Sequence, residues 1–244
     1  MNTLAAVGWE LRRILLTRTY LYSLLLVLLI SYDALNRLII GGTYGAAPYS
    51  QVSYAQFLVL MNGFLVVILM LWCGGVFSER ERAVRRIVLS TPISHAGYIA
   101  IKVAAIAGAF LLMAGLTVAA SFVFYSRQFG FLAFHEFINP LVVFLLPPAV
   151  FVIGLSMAAG QLHSRLPYGL IPLVFFGGML NLGLPLWLDI TGNTFLFNYP
   201  KILMRTFGTG EMIYHLPGSF LATRAALVLA GIGLLVWAAR RHCR

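Results

Sequence analysis

The sequence predicts an all-α, polytopic membrane protein with six transmembrane helices. Hydrophobic residues make up 61% of the 244 residues, charged residues only 10%, and the mean hydropathy is +0.91. Globular proteins carry roughly a quarter charged residues. Six mainly apolar runs are long enough to cross a bilayer, and no alternating strand pattern with a period of about ten residues occurs. Because every backbone polar group in lipid needs an internal partner, the spans are expected to be helices.

Residues 3–19 precede the first span and have a different pattern. Leu4, Leu11 and Leu15 belong to an apolar set at helical spacing, while Arg12 and Arg13 fall largely on another face. This pattern predicts an amphipathic helix that lies in the inner membrane interface. A frayed N-terminus is the alternative interpretation.

The six predicted spans fill most of the chain and leave no room for a second, soluble domain. Prolines and glycines interrupt the fourth and fifth spans, where kinked or broken helices are expected. An outer segment, residues 189–218, precedes the last span. The predicted spans are Tyr20–Ile40, Ala55–Phe77, Gly97–Ser126, Phe137–Gly160, Tyr168–Leu188 and Ser219–Ala239.

The net charge of +10 is explained by topology rather than by a nucleic-acid partner. With the N-terminus inside, twelve of the 17 Lys and Arg residues fall in cytoplasmic segments and five fall outside. Cytoplasmic loops of membrane proteins carry an excess of cations. The distribution therefore predicts a multi-pass protein in contact with membrane lipid, with both termini in the cytoplasm.

Motifs for enzyme chemistry are incomplete throughout the sequence. The glycine cluster at residues 208–211 lacks the lysine of a phosphate-binding loop. His135 and Glu136 begin like a zinc-protease helix, but Asn139 stands where the second histidine is needed. Ser156 lacks the neighbouring glycine of a nucleophile turn. We therefore expect no catalytic residue, no metal site and no cofactor in this chain.

A few polar residues lie inside the predicted spans. Asp33 and Arg37 are spaced to form an ion pair within the outer part of the first span. A local ion pair and a contact to a substrate or ion are both open interpretations. Asn62 and Asn181 lie near the middles of the second and fifth spans, where each amide needs a partner on another helix, a water or a ligand.

The loop after the second span has the most informative pattern. Six charges occur within eight residues, and an apolar Ile87-Val88-Leu89 run and a Ser90-Thr91-Pro92 stop follow. We expect a charged cytoplasmic continuation of the second helix and then a short interfacial helix that ends before Pro92. Residues 78–95 are therefore predicted to be a docking element.

This loop resembles the first cytoplasmic loop of the permease subunits of type-2 ATP-binding-cassette (ABC) transporters, most of which are exporters. The family pattern reads Glu-x-Glu-x-Gly-Thr-hydrophobic-Glu-Leu-Leu-Leu-Ser-x-Pro-Val-Ser. The six-span layout, the N-terminal helix and the long outer segment fit as well. Ala83, Val84 and Arg86 depart from the pattern, where the family has glycine, threonine and often an acid. The matching residues are Glu79, Glu81, Leu89, Ser90, Pro92 and Ser94.

The resemblance implies a division of labour between this chain and its partners. A separate cytoplasmic ABC ATPase would bind ATP and magnesium, and a second permease subunit, identical or related, would complete the path. The expected location is the inner membrane of a prokaryote, and the chain itself would not be an enzyme. The residues expected to dock the ATPase are Glu79, Glu81, Arg82, Arg85, Arg86, Leu89, Ser90, Thr91 and Pro92.

The resemblance also implies that the second and fifth spans line the substrate path. The candidates there are Asn62, Phe64, Phe176 and Asn181. A lipid-like or amphipathic peptide cargo would suit the apolar and aromatic candidates for the lining, which are Phe64, Trp72, Phe175, Phe176 and Trp187. Aromatic residues at helix ends are also typical of interfacial belts, so Trp72 and Trp187 could instead anchor their helices. The alternative function is an ion-coupled carrier or channel without an ATPase. Such a carrier commonly buries paired carboxylates, whereas here only Asp33 lies inside a span.

Overall fold

In the computed structural model, the described residues are 3–40, 47–88, 94–181, 183–207 and 214–241. These residues form helices joined by short connections, and no β-strand occurs among them. The expected architecture of an all-α, multi-pass membrane protein is confirmed. Five helical stretches are long and apolar enough to span a membrane: Arg18–Ile40, Gln51–Gly75, His95–Phe129, Phe134–Leu162 and Gly218–Arg240.

Two irregular helical turns extend the regular helices. A π-helix, Leu35–Ile40, continues the helix Arg18–Ala34, and a 3-10 turn, Phe134–Phe137, leads directly into the helix Ile138–Leu162. The α-helices of the described residues are α1 (Thr3–Leu15), α2 (Arg18–Ala34), α3 (Gln51–Gly75), α4 (Glu79–Val88), α5 (His95–Phe129), α6 (Ile138–Leu162), α7 (Leu166–Met179), α8 (Asn193–Phe207) and α9 (Gly218–Arg240).

The central helix of the bundle is α3. It is apolar on all sides, as expected of a helix enclosed by others, and it is the most buried of the five spanning stretches. It packs mainly against α6 and α7. At Gly63 a Cβ atom would lie 2.5 Å from Met179 Sδ, so the glycine leaves room for the Met179 side chain against α3.

The backbones of α6 and α9 touch where the two helices cross. A Cβ atom on Gly154 would collide with the backbone carbonyl of Gly231, and one on Gly231 would lie 2.6 Å from the Val150 carbonyl oxygen. Small residues allow membrane helices to approach until their backbones touch. The two glycines therefore fix where α9 crosses α6.

The fifth predicted span, Tyr168–Leu188, is not one continuous helix. The helix α7 ends at Met179 after 14 residues, which is about 21 Å at 1.5 Å per residue and shorter than the roughly 30 Å hydrocarbon core. The segment that follows α7 explains why this helix ends at Met179. Thr191 Oγ1 donates to the Gly178 carbonyl at 3.0 Å, and Asn193 Nδ2 donates to the Met179 carbonyl at 3.0 Å. These side chains satisfy terminal carbonyls that a longer helix would have paired.

The bundle has two distinct ends. The "α4 end" is defined by α1, α4 and the start of α5. Lys102 of α5 lies 2.7 Å from Glu81 of α4 and 2.9 Å from Glu10 of α1. At the opposite end, Tyr125 Oη at the end of α5 donates to the Pro48 carbonyl just before α3. Tyr214 Oη, just before α9, donates to Asn139 at the start of α6. The chain therefore returns from the α4 end to the opposite end through α7 and the segment after it.

Candidate functional site

Four charged side chains meet at the α4 end, and we call them the charged node: Glu10, Arg13, Glu81 and Lys102. They come from α1, α4 and α5. Lys102 Nζ lies 2.9 Å from Glu10 Oε1 and 2.7 Å from Glu81 Oε2. Arg13 Nη2 lies 3.0 Å from Glu10 Oε2 and 2.5 Å from Glu81 Oε1. Each carboxylate thus contacts both cations in a closed ring with no net charge.

Three of the four side chains of the charged node are largely removed from solvent, whereas Arg13 is 39% exposed. The side chain of Lys102 is 5% exposed, and those of Glu10 and Glu81 are 11% and 13% exposed. Tyr98 Oη adds a hydrogen bond of 3.2 Å to Glu81 Oε2. Buried charges are tolerated when each is paired and hydrogen-bonded. Every charge in the ring has an ion-pair partner, although Glu10 Oε2 makes no hydrogen bond. The ring ties α4 to α1 and to α5.

The local sequence of α4 explains why Glu81 is available to the node. Ser78 Oγ accepts a hydrogen bond from the Glu81 backbone N–H at 3.4 Å, as the N-cap in a Ser-x-x-Glu capping box does. In a full capping box the Glu side chain returns to the cap residue's N–H. Here the Ser78 N–H already donates to the Gly75 carbonyl at 3.2 Å. The Glu81 carboxylate is therefore left to bind Lys102 and Arg13.

The electrostatic environment of Glu81 favours its charged form. Burial raises the pKa of Glu81. The hydrogen bonds and positive charges of Lys102 and Arg13 lower the pKa by more than burial raises it. The net pKa lies below the usual value for a glutamate. The ring is therefore in its ion-paired state at neutral pH.

Apolar packing of α1 on α5 continues next to the charged node. Leu11 of α1 lies against Gly108 of α5, where an added Cβ would be 3.4 Å from Leu11 Cδ1. Beside the node a cleft of about 460 Å³ has a charged wall from the ring and an apolar wall that includes Leu71, Trp72 and Ile106. The cleft separates α4 and α1 from the end of α3.

The predicted docking residues divide between the two faces of α4. Glu81 faces the node and is engaged within the chain, whereas Glu79 and Arg82 are exposed. Arg85 and Arg86 belong to the same helix. The helix is not a continuation of the second span, because Val76–Ser78 form a turn between α3 and α4. Leu89, Ser90, Thr91 and Pro92 lie outside the described residues.

Asn62 donates a hydrogen bond to a carbonyl of α6 that lacks its usual helical donor because of a proline. Its Nδ2 donates to the Phe144 carbonyl at 2.8 Å, and the Asn62 side chain is fully buried. In a regular helix the Phe144 carbonyl would accept from the N–H of residue 148. That residue is Pro148, which has no N–H. The amide of Asn62 therefore serves as the missing donor inside the bundle.

The other predicted path residues are spread over α3, α7 and the segment after α7. Phe64 of α3 is half-buried and meets Phe175 edge to face, with ring centroids 5.6 Å apart. Phe176 is exposed. Asn181 is also exposed and follows the end of α7, rather than lying in the middle of a span as expected. The four candidates therefore do not form one cluster.

The Asp33 and Arg37 side chains form a local pair. Arg37 Nε donates to Asp33 Oδ1 at 2.8 Å, and both side chains are more than half exposed. Arg37 lies in the π-helix that ends the first span.

Sequence reasoning missed two polar clusters. The first is the pairing of Glu10 with Lys102, although a lysine within an apolar helix is a signal that a carboxylate must lie nearby. The second joins α9 to the start of α8. Arg224 is buried and donates to the Asp189 and Ile190 carbonyls, while the Asp189 carboxylate accepts from the N–H groups of Gly192 and Phe195. No sequence periodicity indicates such a loop.

Comparison with known proteins returns no matching family model, no matching curated protein and no matching solved structure. The charged node, the exposed face of α4 and the break after α7 are therefore interpreted from their own geometry.

Proposed function

We propose that this chain is the membrane-spanning subunit of an ATP-driven ABC exporter, coupled through α4 to a separate cytoplasmic ATPase. The observation that carries the proposal is the two-sided character of α4. One face is ion-paired to α1 and α5 through Glu81, and the other exposes Glu79, Arg82 and Ala83. A helix that is anchored on one side and charged on the other is suited to receive a partner and pass on its movement.

The charged node would transmit that movement. Removing one partner from a buried ion pair costs about 3–5 kcal/mol, so a displacement of α4 moves α1 and α5 with it rather than separating them. The helix α5 has 35 residues and is about 52 Å long at 1.5 Å per residue. A displacement of the first turn of α5 would therefore also move the opposite end of the bundle.

The proposed topology has six crossings, with both termini and α4 in the cytoplasm of a prokaryotic cell. Two features support it. Twelve of 17 cations fall on the side that this topology places inside. In addition, Tyr214 brings the start of α9 beside the start of α6, so α7 and the segment after it would make the sixth crossing.

We place the substrate path between two permease subunits, identical or related. Phe176 and Asn181 are the path candidates that the geometry favours, because both side chains are exposed. Asn62 is committed to the Phe144 carbonyl within the bundle. The exposed Phe176 suits an apolar or amphipathic cargo. ATP and magnesium would bind the partner ATPase.

Purification from native membranes tests this proposal. The tagged chain should copurify with a protein that contains a phosphate-binding loop, and the complex should hydrolyse ATP. The Arg82→Glu variant should lose most of that partner, because the variant reverses charge on the exposed face of α4. The Arg12→Glu variant changes an exposed arginine of α1 and serves as the matched control.

Two results would contradict the proposal. One is full ATPase recovery with Arg82→Glu and any further charge reversal on the exposed face of α4. The other is transport by the isolated chain in vesicles that hold an ion gradient but no ATP, which is the outcome expected of an ion-coupled carrier or channel.

A further inference from the structure

The outward face of α1 is not covered by the rest of the described chain. Trp9 is 64% exposed, and Leu4 and Leu16, near the two ends of the helix, are also largely exposed. The opposite face is held against α5, where Leu11 lies beside Gly108. The helix therefore presents a row of apolar side chains to its surroundings from a fixed position.

Two pairs of tryptophan and arginine side chains mark one level at the α4 end. Arg13 Cζ lies over the exposed Trp9 ring, 5.8 Å from the ring centroid. Arg241 Cζ lies over the exposed Trp237 ring at 4.8 Å, at the end of α9, which begins at the opposite end of the bundle. Tryptophan is enriched where the lipid hydrocarbon meets the headgroups. The two pairs therefore indicate that α1 lies at the depth of the headgroups.

Two arginines beside the apolar row have no carboxylate partner. Arg12 belongs to the last turn of α1, and Arg18 begins α2 after the turn at Leu16 and Thr17. Both arginines are exposed, and neither forms an ion pair among the described residues. The nearby Glu10 is engaged within the charged node. The α1–α2 junction, residues 12–18, therefore carries two unpaired positive charges.

We propose that the α1–α2 junction binds an anionic phospholipid, with Arg12 and Arg18 at the headgroup and Trp9 and Leu16 against the upper acyl chain. Anionic lipids attract cationic segments at the membrane surface. A helix that combines arginines with tryptophan and leucine is suited to that surface. A zwitterionic phospholipid has no net charge to neutralise the two arginines.

An acidic soluble protein is the competing occupant of this face. It would neutralise the arginines, but a lipid also removes the exposed Trp9 and Leu16 side chains from water at the depth where α1 lies. The lipid therefore accounts for both the charges and the apolar row. This contact involves the membrane and not the ATPase, so its loss should leave copurification of the ATPase unchanged.

Quenching of Trp9 fluorescence by brominated lipids tests the site in vesicles that contain the purified full chain. The other three tryptophans, Trp72, Trp187 and Trp237, are replaced by phenylalanine. Phosphatidylglycerol or phosphatidylcholine, brominated near the headgroup end of its acyl chains, is added at a low mole fraction to unlabelled phosphatidylcholine. We expect phosphatidylglycerol to be preferred by about fivefold for each arginine that contacts it. Salt at about 1 M should weaken this preference, because it screens exposed charges.

Substitution of the two arginines tests whether the preference arises at this junction. Arg12→Gln and Arg18→Gln should each lower the preference about fivefold, and the double variant should remove it. Lysine at both positions keeps both charges and should retain the preference. Arg127→Gln changes an exposed arginine at the far end of α5 and is the matched control, which should behave as the parent does.

Three results would overturn the proposal. Equal quenching of Trp9 by the two lipids in the single-tryptophan parent would do so, and it would favour an acidic protein as the partner of the two arginines. A preference that survives when both Arg12 and Arg18 are glutamine would place the lipid elsewhere. An equal loss of preference in Arg127→Gln would show that the net charge of the protein, rather than this junction, attracts the lipid.

Discussion

Lys102 connects the two carboxylates of the charged node at the scale of single residues. Its ammonium group contacts Glu10 and Glu81 at 2.9 and 2.7 Å, and its side chain is almost completely buried. Arg13 makes the matching contacts but is more exposed. Replacing Lys102 should therefore change the free energy of unfolding more than replacing any surface cation.

Replacing Lys102 by methionine should destabilise the protein by about 3–5 kcal/mol, since two buried carboxylates lose their closest counter-charge. Unfolding of the purified protein in mixed detergent measures this change. Lys201→Met alters an exposed lysine of α8 and should stay within about 0.5 kcal/mol of the parent. Equal stability of the two variants would show that the node does not hold α1, α4 and α5 together.

The lowered pKa of Glu81 gives the node a defined pH response. A carboxylate whose pKa is depressed by folding contributes stability above its unfolded pKa of about 4.3, and that contribution is lost as the pH falls through the folded pKa. Thermal unfolding should therefore shift to lower temperature below about pH 4. Glu81→Gln should flatten this acid response, whereas Glu136→Gln, an exposed control, should retain it.

The Asn62 hydrogen bond predicts that substitutions at Asn62 and Pro148, which are far apart in the sequence, have non-additive effects on stability. Asn62→Leu should cost about 1–3 kcal/mol because it leaves the Phe144 carbonyl unpaired. In a Pro148→Ala background residue 148 regains its N–H, so the same Asn62→Leu change should cost less. A double-mutant cycle on unfolding free energies measures this coupling. An additive cycle would mean that Asn62 does not replace the donor missing at Pro148.

At the scale of elements, the crossing of α6 and α9 is set by backbone contact rather than by side-chain packing. Gly154 and Gly231 face one another so closely that neither position has space for a methyl group. By contrast, Gly233, two residues further along α9, has open space around its Cα atom. Gly231 and Gly233 of α9 thus have different surroundings.

Gly231→Ala should force α6 and α9 apart and lower stability. Gly233→Ala should be neutral or stabilising by up to about 1 kcal/mol, because alanine is the better helix former. Thermal unfolding of the two variants compares the sites directly. Similar effects of the two substitutions would contradict the close crossing.

Sequence reasoning locates elements well where hydrophobic length decides them. Five of the predicted spans overlap the five long helices, because an apolar run of about 20 residues has little alternative in lipid. The fifth predicted span differs because α7 ends where Thr191 and Asn193 take its last carbonyls. Those bonds come from residues beyond the end of that span, and hydropathy carries no information about them.

The candidate site shows the same limit. The charges of α4 and their amphipathic context are visible in the sequence, and Glu79 and Arg82 are exposed on this helix. The engagement of Glu81 by Lys102 joins residues 21 positions apart. The contact between Lys102 and Glu10 joins residues 92 positions apart. These pairings follow from how α1 packs on α5, which periodicity alone does not determine.

At the scale of the whole molecule, the polar features lie at separate levels of an apolar bundle. The charged node occupies the α4 end, Asn62 lies within the bundle, and the Asp189–Arg224 cluster closes the opposite end. Each satisfies backbone or charged groups that lipid would leave unpaired. The exposed face of α4 is different, since its charges extend away from the bundle and suit a soluble partner.

The most direct test of the central claim is site-specific photo-crosslinking from α4 in native membranes. A photoreactive residue at Ala83, on the exposed face of α4, should crosslink to a cytoplasmic protein whose peptides contain a phosphate-binding loop. The same residue at Leu112, on the exposed surface of α5, should not. If the Ala83 position of a correctly inserted chain crosslinks to no such ATPase, the proposal that α4 couples this protein to ATP hydrolysis is wrong.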